Sequence, residues 1–106
     1  MRRIVWAPAA LRDVQRIFTY IAGENPSAAV TVRDRLHDAV ASLGALPTGH
    51  PGRVTSTYEK VVTGLPYIVP YSLGIDADGA PSLNVLRVIH GARDWTADRW
   101  PDEDAP

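Results

Sequence analysis

Apolar residues change their spacing halfway along this 106-residue chain. In the first half they recur every three or four positions. Leu11, Val14, Ile17, Phe18 and Ile21 make one stripe, with Arg12, Asp13 and Arg16 outside it, which predicts an amphipathic helix. Ala29, Val32, Leu36, Ala39, Leu43 and Leu46 make a second stripe and predict a second helix running to about Leu46. Pro8 suits the first turn of the first helix, where a missing N–H costs nothing. Gly23, Glu24 and Asn25 close that helix, and Asn25 followed by Pro26 starts the next as an N-cap with proline at the first helical position. So short a connection makes the two helices antiparallel neighbours.

The second half alternates instead. "PTGHPGR" (47–53) is a cluster of helix breakers. After it, "YEKVV" (58–62) predicts a strand and "TGLP" a turn. "YIVPYSL" (67–73) then places Tyr67, Val69, Tyr71 and Leu73 on one face. Pro70 cannot donate a ladder hydrogen bond, so it marks an edge, a bulge or a strand end. "DADG" (76–79) is a hairpin turn, and a strand over 83–90 returns from it. A short strand over "RRIVW" (2–6) opens the chain, and a short helix or extended piece is expected around 94–100. The order is β-α-α-β-β-β. It predicts an α+β domain in which a helical hairpin packs on one face of an antiparallel meander sheet. One domain over 1–100 is expected, followed by an acidic tail, "PDEDAP" (101–106), with no apolar anchor to order it.

Composition narrows the function classes. Hydrophobic residues make up 45%, as in a globular protein and unlike a disordered one. There is no cysteine, which excludes disulfides and thiolate metal sites and suits a reducing cytoplasm. No apolar run is long enough to span a bilayer, and the N-terminal apolar patch is too short for a signal peptide. His37 and His50 lack spaced ligand partners, so no metal or other cofactor is expected. Net charge is −1, and removing Asp102, Glu103 and Asp104 leaves the body at +2. That is far below the basic bias of a dedicated nucleic-acid binder.

The chemistry concentrates in "NVLRVIHGARDW" (84–95), where Arg87, His90, Arg93 and Trp95 follow the most β-prone strand. Arg87 could touch a ligand or pair across the sheet with an acid such as Glu59. His90, beside Gly91, could titrate near neutrality or hold a carbonyl at the strand end. Arg93 with Asp94 could be an ordinary exposed pair. Trp95 and Trp100 suit burial against the body or an interface.

Several strings carry a likeness over roughly 3–95. Trp6, Pro8, Ala9, Ala10 and Asp13 open the first helix as "W-x-P-A-A-x-x-D". "ALPTGHPGR" leaves the second helix with Gly52 and Arg53, "YEKVVTGLPYIVPY" (58–71) forms the first hairpin, and "LRVIHGARDW" (86–95) ends the sheet. In this order and spacing they resemble the RelE/ParE family of type II toxin–antitoxin toxins, and the last string resembles its ParE-type ending.

The resemblance implies a toxin neutralised by a cognate antitoxin protein in the cytoplasm. It leaves two modes of action to weigh. RelE-like members cleave messenger RNA on the ribosome, whereas characterised ParE-like members act on DNA gyrase without cutting RNA. Fold does not separate them. A nuclease here would use His90 as acid or base, Arg53 and Arg87 on phosphate, and Lys60 and Tyr71 to orient or stack a base. Between 47 and 93, however, four basic residues face three acids, Glu59, Asp76 and Asp78, and nucleases of the family surround their site with more cations. The ParE-like action is therefore the expectation, with an enzyme as the alternative and a degenerate, non-toxic partner-binding member as a second. Arg87, His90, Arg93 and Trp95 are the expected functional face. Leu11, Ile17, Leu36, Leu43, Tyr67 and Tyr71 are the expected antitoxin contacts, because such segments fold on binding into apolar grooves.

Overall fold

The computed structural model describes residues 1–91. A short strand β1 (Arg3–Trp6) leads into helices α1 (Pro8–Ala22) and α2 (Pro26–Ala45). The sheet then continues through β2 (His50–Pro51), β3 (Tyr58–Val61), β4 (Tyr67–Ile75), β5 (Pro81–Val85) and β6 (Ile89–His90). Both helices start on proline, as their sequences require, and the Asn25 side chain accepts a hydrogen bond from the Ala28 amide at 3.1 Å. The strand order is β1-β5-β4-β3-β2, with β6 also pairing β4. The meander is antiparallel, while β1 lies parallel to β5 at the sheet's edge. This is the expected α+β architecture of a helix pair on a sheet.

One layer of side chains makes the core. Ala10 and Val14 from α1 and Leu36, Val40 and Leu43 from α2 meet Val69, Tyr71, Leu83 and Val85 from the sheet. Arg33 of α2 lies over the Phe18 ring of α1 at 5.1 Å and closes the helix pair on its outer side. Two stripe assignments are corrected. Leu11 is half-exposed at 50%, and Asp13, placed outside the stripe by its charge, is buried. The inward face of α1 is thus Ala10, Asp13, Val14 and Ile17, an apolar face with one acid inside it. Leu36 and Leu43 are buried under the sheet, so they offer no surface to an antitoxin, contrary to expectation.

The strand expected over 83–90 is also corrected, because it breaks in two. Val85 pairs with Tyr71 and Ile89 with Ile68, so residues 86–88 stand opposite only Val69 and Pro70. Pro70 is the cause. Its carbonyl accepts the Leu86 amide at 3.0 Å, but it has no N–H to return, and the partner strand bulges there. The bulge carries Arg87.

Candidate functional site

The bulge turns Arg87 under α1. Its guanidinium grips the Asp13 carboxylate with both arms, Nε to Oδ2 at 2.7 Å and a terminal nitrogen to Oδ1 at 3.0 Å. The Val88 amide, released from the ladder by the bulge, donates to the same Oδ2 at 2.9 Å. Both side chains are buried, 3% exposed for Arg87 and 8% for Asp13. The acid ties α1 to the far end of β5 and satisfies an amide that the sheet cannot.

Arg87 is therefore not part of an open cationic face, and its carboxylate partner is Asp13 and not Glu59. Glu59 belongs to a second cluster at the other end of the sheet. Its carboxylate accepts the Arg53 amide at 2.8 Å and lies 3.6 Å from the Arg53 Nε. Beside it the Tyr71 hydroxyl accepts the Gly49 amide at 2.9 Å. A side chain at position 49 would meet that hydroxyl at 2.6 Å, so the close approach requires glycine. Lys60 donates to the Thr48 hydroxyl at 2.8 Å. Together these bonds hold the loop 47–57 against the sheet. Tyr71 is buried to 1% exposure, which removes it both as an antitoxin contact and as a base-stacking platform. Burial pushes its phenol pKa up, a shift opposed by the Gly49 hydrogen bond and reinforced by Tyr58.

His90 is exposed on the last described strand, and its ring meets Tyr67 edge-on at 5.6 Å. Burial and the neighbouring Tyr20 raise the Tyr67 pKa. Ile17 and Tyr67 are partly buried. Arg93 and Trp95 of the expected functional face lie outside the described residues, as do Asp94, Trp100 and the acidic tail. The sheet also separates the residues a nuclease would have to gather. Lys60 pairs with Val69 and faces the helices, while Glu59, and Arg53 with it, projects from the opposite face. Among the described residues, no group of three or more histidines and acids could hold a metal, and no helix is long and apolar enough to cross a membrane.

Sequence reasoning missed Asp13 and the role of Glu59. The signal for Asp13 was its spacing. It sits three residues after Ala10 and four before Ile17, on the apolar stripe rather than beside it.

Comparison with known proteins agrees with this architecture. A solved structure titled "Chromosomal ParDE TA system from P. aeruginosa" superposes with a TM-score of 0.75 at 17% identity, covering 85% of this chain and 96% of that one, and so shares the fold. "Putative toxin Y4kP" of Sinorhizobium fredii (strain NBRC 101917 / NGR234) is 38% identical over 95 residues, spanning 89% of this chain and 93% of the relative. The model of the family described as "ParE toxin of type II toxin-antitoxin system, parDE" matches residues 4–95, which take in both helices, β2 to β6 with most of β1, the Asp13–Arg87 pair and His90. With a helix hairpin on a bulged meander, and a family match that runs through all of it, the chain belongs to the ParE toxins of type II toxin–antitoxin systems.

Proposed function

We propose that this ParE-family toxin arrests growth in the cytoplasm by interfering with DNA gyrase, cuts no RNA, and is held inactive by a cognate antitoxin protein. The observation that carries the non-enzymatic reading is the burial of Arg87 against Asp13. A phosphorane needs a cation that can reach it. Here the arginine best placed in sequence to serve His90 is held by a buried carboxylate. Arg53 rests against Glu59, on the sheet face opposite to Lys60 and His90. Leu11, Ile17 and Tyr67 remain as antitoxin contacts, since each keeps some exposed surface.

A supercoiling assay with purified gyrase tests the target. Micromolar toxin should inhibit supercoiling, and co-purified antitoxin should restore it. Unchanged topology, together with codon-level cuts in ribosome toeprinting, would transfer the protein to the messenger-RNA endonucleases. The antitoxin itself should be encoded by a small adjacent reading frame and should co-purify with the toxin.

A further inference from the structure

A cleft of about 340 Å³ opens between α2 and the end of β3, where Arg35, Asp38 and Ala39 of the helix face Lys60 and Val62. Its floor is apolar, because Val62 is buried and Ala39 half-buried. Its rim is charged. Arg35 and Asp38 stand three apart on α2, a spacing at which opposite charges commonly pair. Here they do not, and among the described residues neither side chain has a hydrogen bond or an ion pair. Arg3, Arg33, Arg53 and Arg87 each face a carboxylate, whereas Arg35 faces the cleft. It extends over the turn from β3 to β4, which the Leu65 amide closes on the Val62 carbonyl at 3.1 Å. A side chain at Gly64 would meet its guanidinium at 3.1 Å, and Gly64 has a φ of +79°. Glycine there serves the turn and leaves room for the cation. Lys60 uses one of its donors on the neutral Thr48 hydroxyl, which leaves its charge unbalanced.

Two cations and one acid leave the cleft with a net positive charge. That balance suits a single carboxylate. The successive phosphates of a nucleic acid would bring further negative charge against Asp38. An acidic residue within a peptide satisfies all three groups at once. Its carboxylate fits between Arg35 and Lys60, its backbone N–H donates to Asp38, and an apolar neighbour covers Val62 and Ala39. A cleft at the small end of ligand-sized cavities admits one or two side chains, as a segment that folds on binding inserts them.

We propose that this cleft anchors an acidic residue of the cognate antitoxin, with Arg35 and Lys60 on its carboxylate and Asp38 on the adjoining amide. The anchor presupposes the antitoxin proposed above, and adds a charged contact on α2 to the apolar contacts on α1. Because Arg35 and Asp38 lie at the surface, the contact weakens as salt rises.

Lys60 is the only lysine in the chain, so acylation of its amine reports on the cleft. In complex with the antitoxin from the adjacent reading frame, Lys60 should react with acetic anhydride several-fold more slowly than in the free toxin, read by mass spectrometry. Arg35→Glu should weaken antitoxin binding about tenfold in titration calorimetry and flatten its dependence on salt. Should that variant fail to fold, Arg35→Gln must shift the affinity in the same direction. Asp38→Asn should weaken binding several-fold. Tighter binding by Asp38→Asn would mean that Asp38 only repels the ligand, and would overturn the peptide assignment. Equal affinities for the parent and Arg35→Glu, or an unprotected Lys60 in a complex that has formed, would overturn the proposal and leave the antitoxin reading standing. If the parent toxin forms no complex at all, the antitoxin reading fails and the anchor with it. Protection of Lys60 by duplex DNA and not by the antitoxin would overturn the proposal in favour of a nucleic acid.

Discussion

Two carboxylates in this domain do the same job in different surroundings. Asp13 and Glu59 each take one backbone amide and one arginine, and each anchors a piece of chain that the sheet alone would leave loose. Asp13 joins residues 74 apart in sequence, and both of its charges are buried. Glu59 joins residues six apart, and its arginine is 36% exposed, so water shares the charge. Similar bonds therefore carry different weight. Where both partners are dry, loss of either strands a charge in the interior. Where one partner is wet, the amide bond is what matters and the ion pair adds little.

The largest expected effect breaks the dry pair. Asp13→Ala should lower the unfolding free energy by about 3–5 kcal/mol, read from urea midpoints, because it leaves Arg87 buried without its carboxylate. Domains of this size hold only about 5–15 kcal/mol in total, so much of the protein should unfold at 37 °C. Arg87→Ala should cost a similar amount, and the double variant less than the sum of the two. A loss under about 1 kcal/mol for either single variant would show that the pair is not dry and would erase the contrast with Glu59. Replacing both by apolar residues of like volume, Asp13→Leu with Arg87→Met, sharpens the point, since such exchanges are often neutral.

That buried pair also marks where the sequence stopped being legible. The helix pair and the β4–β5 hairpin follow from local rules. Pro8 and Pro26 fix the helix starts, and Asp76 accepts the Asp78 and Ala80 amides around a turn that Gly79 completes at a φ of +82°. Pro70 announced an edge, a bulge or a strand end without saying which, or which residue a bulge would displace. What turned Arg87 inward was the combination of that proline with an acid 74 positions earlier, and a periodicity rule that assigns charges to the outside cannot see it. The same rule exposed Asp13 and buried Leu11, the reverse of what packing selected. His90 was legible as a residue at a strand end, but its pairing with Tyr67 and the edge-on contact of the two rings were not.

The wet pair gives the middle effect. Glu59→Ala should cost about 1–3 kcal/mol, the penalty for leaving the Arg53 amide without its acceptor, and hydrogen exchange should quicken across 47–57 more than in the helices. Arg53→Ala should cost under about 1 kcal/mol, with a dependence on salt that the Asp13 variants lack. Equal losses for Glu59→Ala and Arg53→Ala would mean that the ion pair, not the amide, holds the loop.

A neutral bond beside Glu59 supplies the control in which neither partner is charged. Tyr71→Phe keeps the buried ring but takes the acceptor from the Gly49 amide, and should cost about 1 kcal/mol at neutral pH with no response to salt. Its signature is alkaline. Burial raises the folded phenol above its ordinary value of 10.0, so the folded state holds this proton more tightly than the unfolded chain does. Stability from this group is complete below pH 10 and falls as pH rises from there through the folded pKa. Tyr67 shifts in the same direction and contributes to the same decline. Denaturant midpoints measured from pH 8 upward should therefore fall less steeply for Tyr71→Phe than for the parent. Parallel curves would mean that the phenol meets water in spite of its burial, and that Gly49 is held at this spot by shape and not by the hydroxyl.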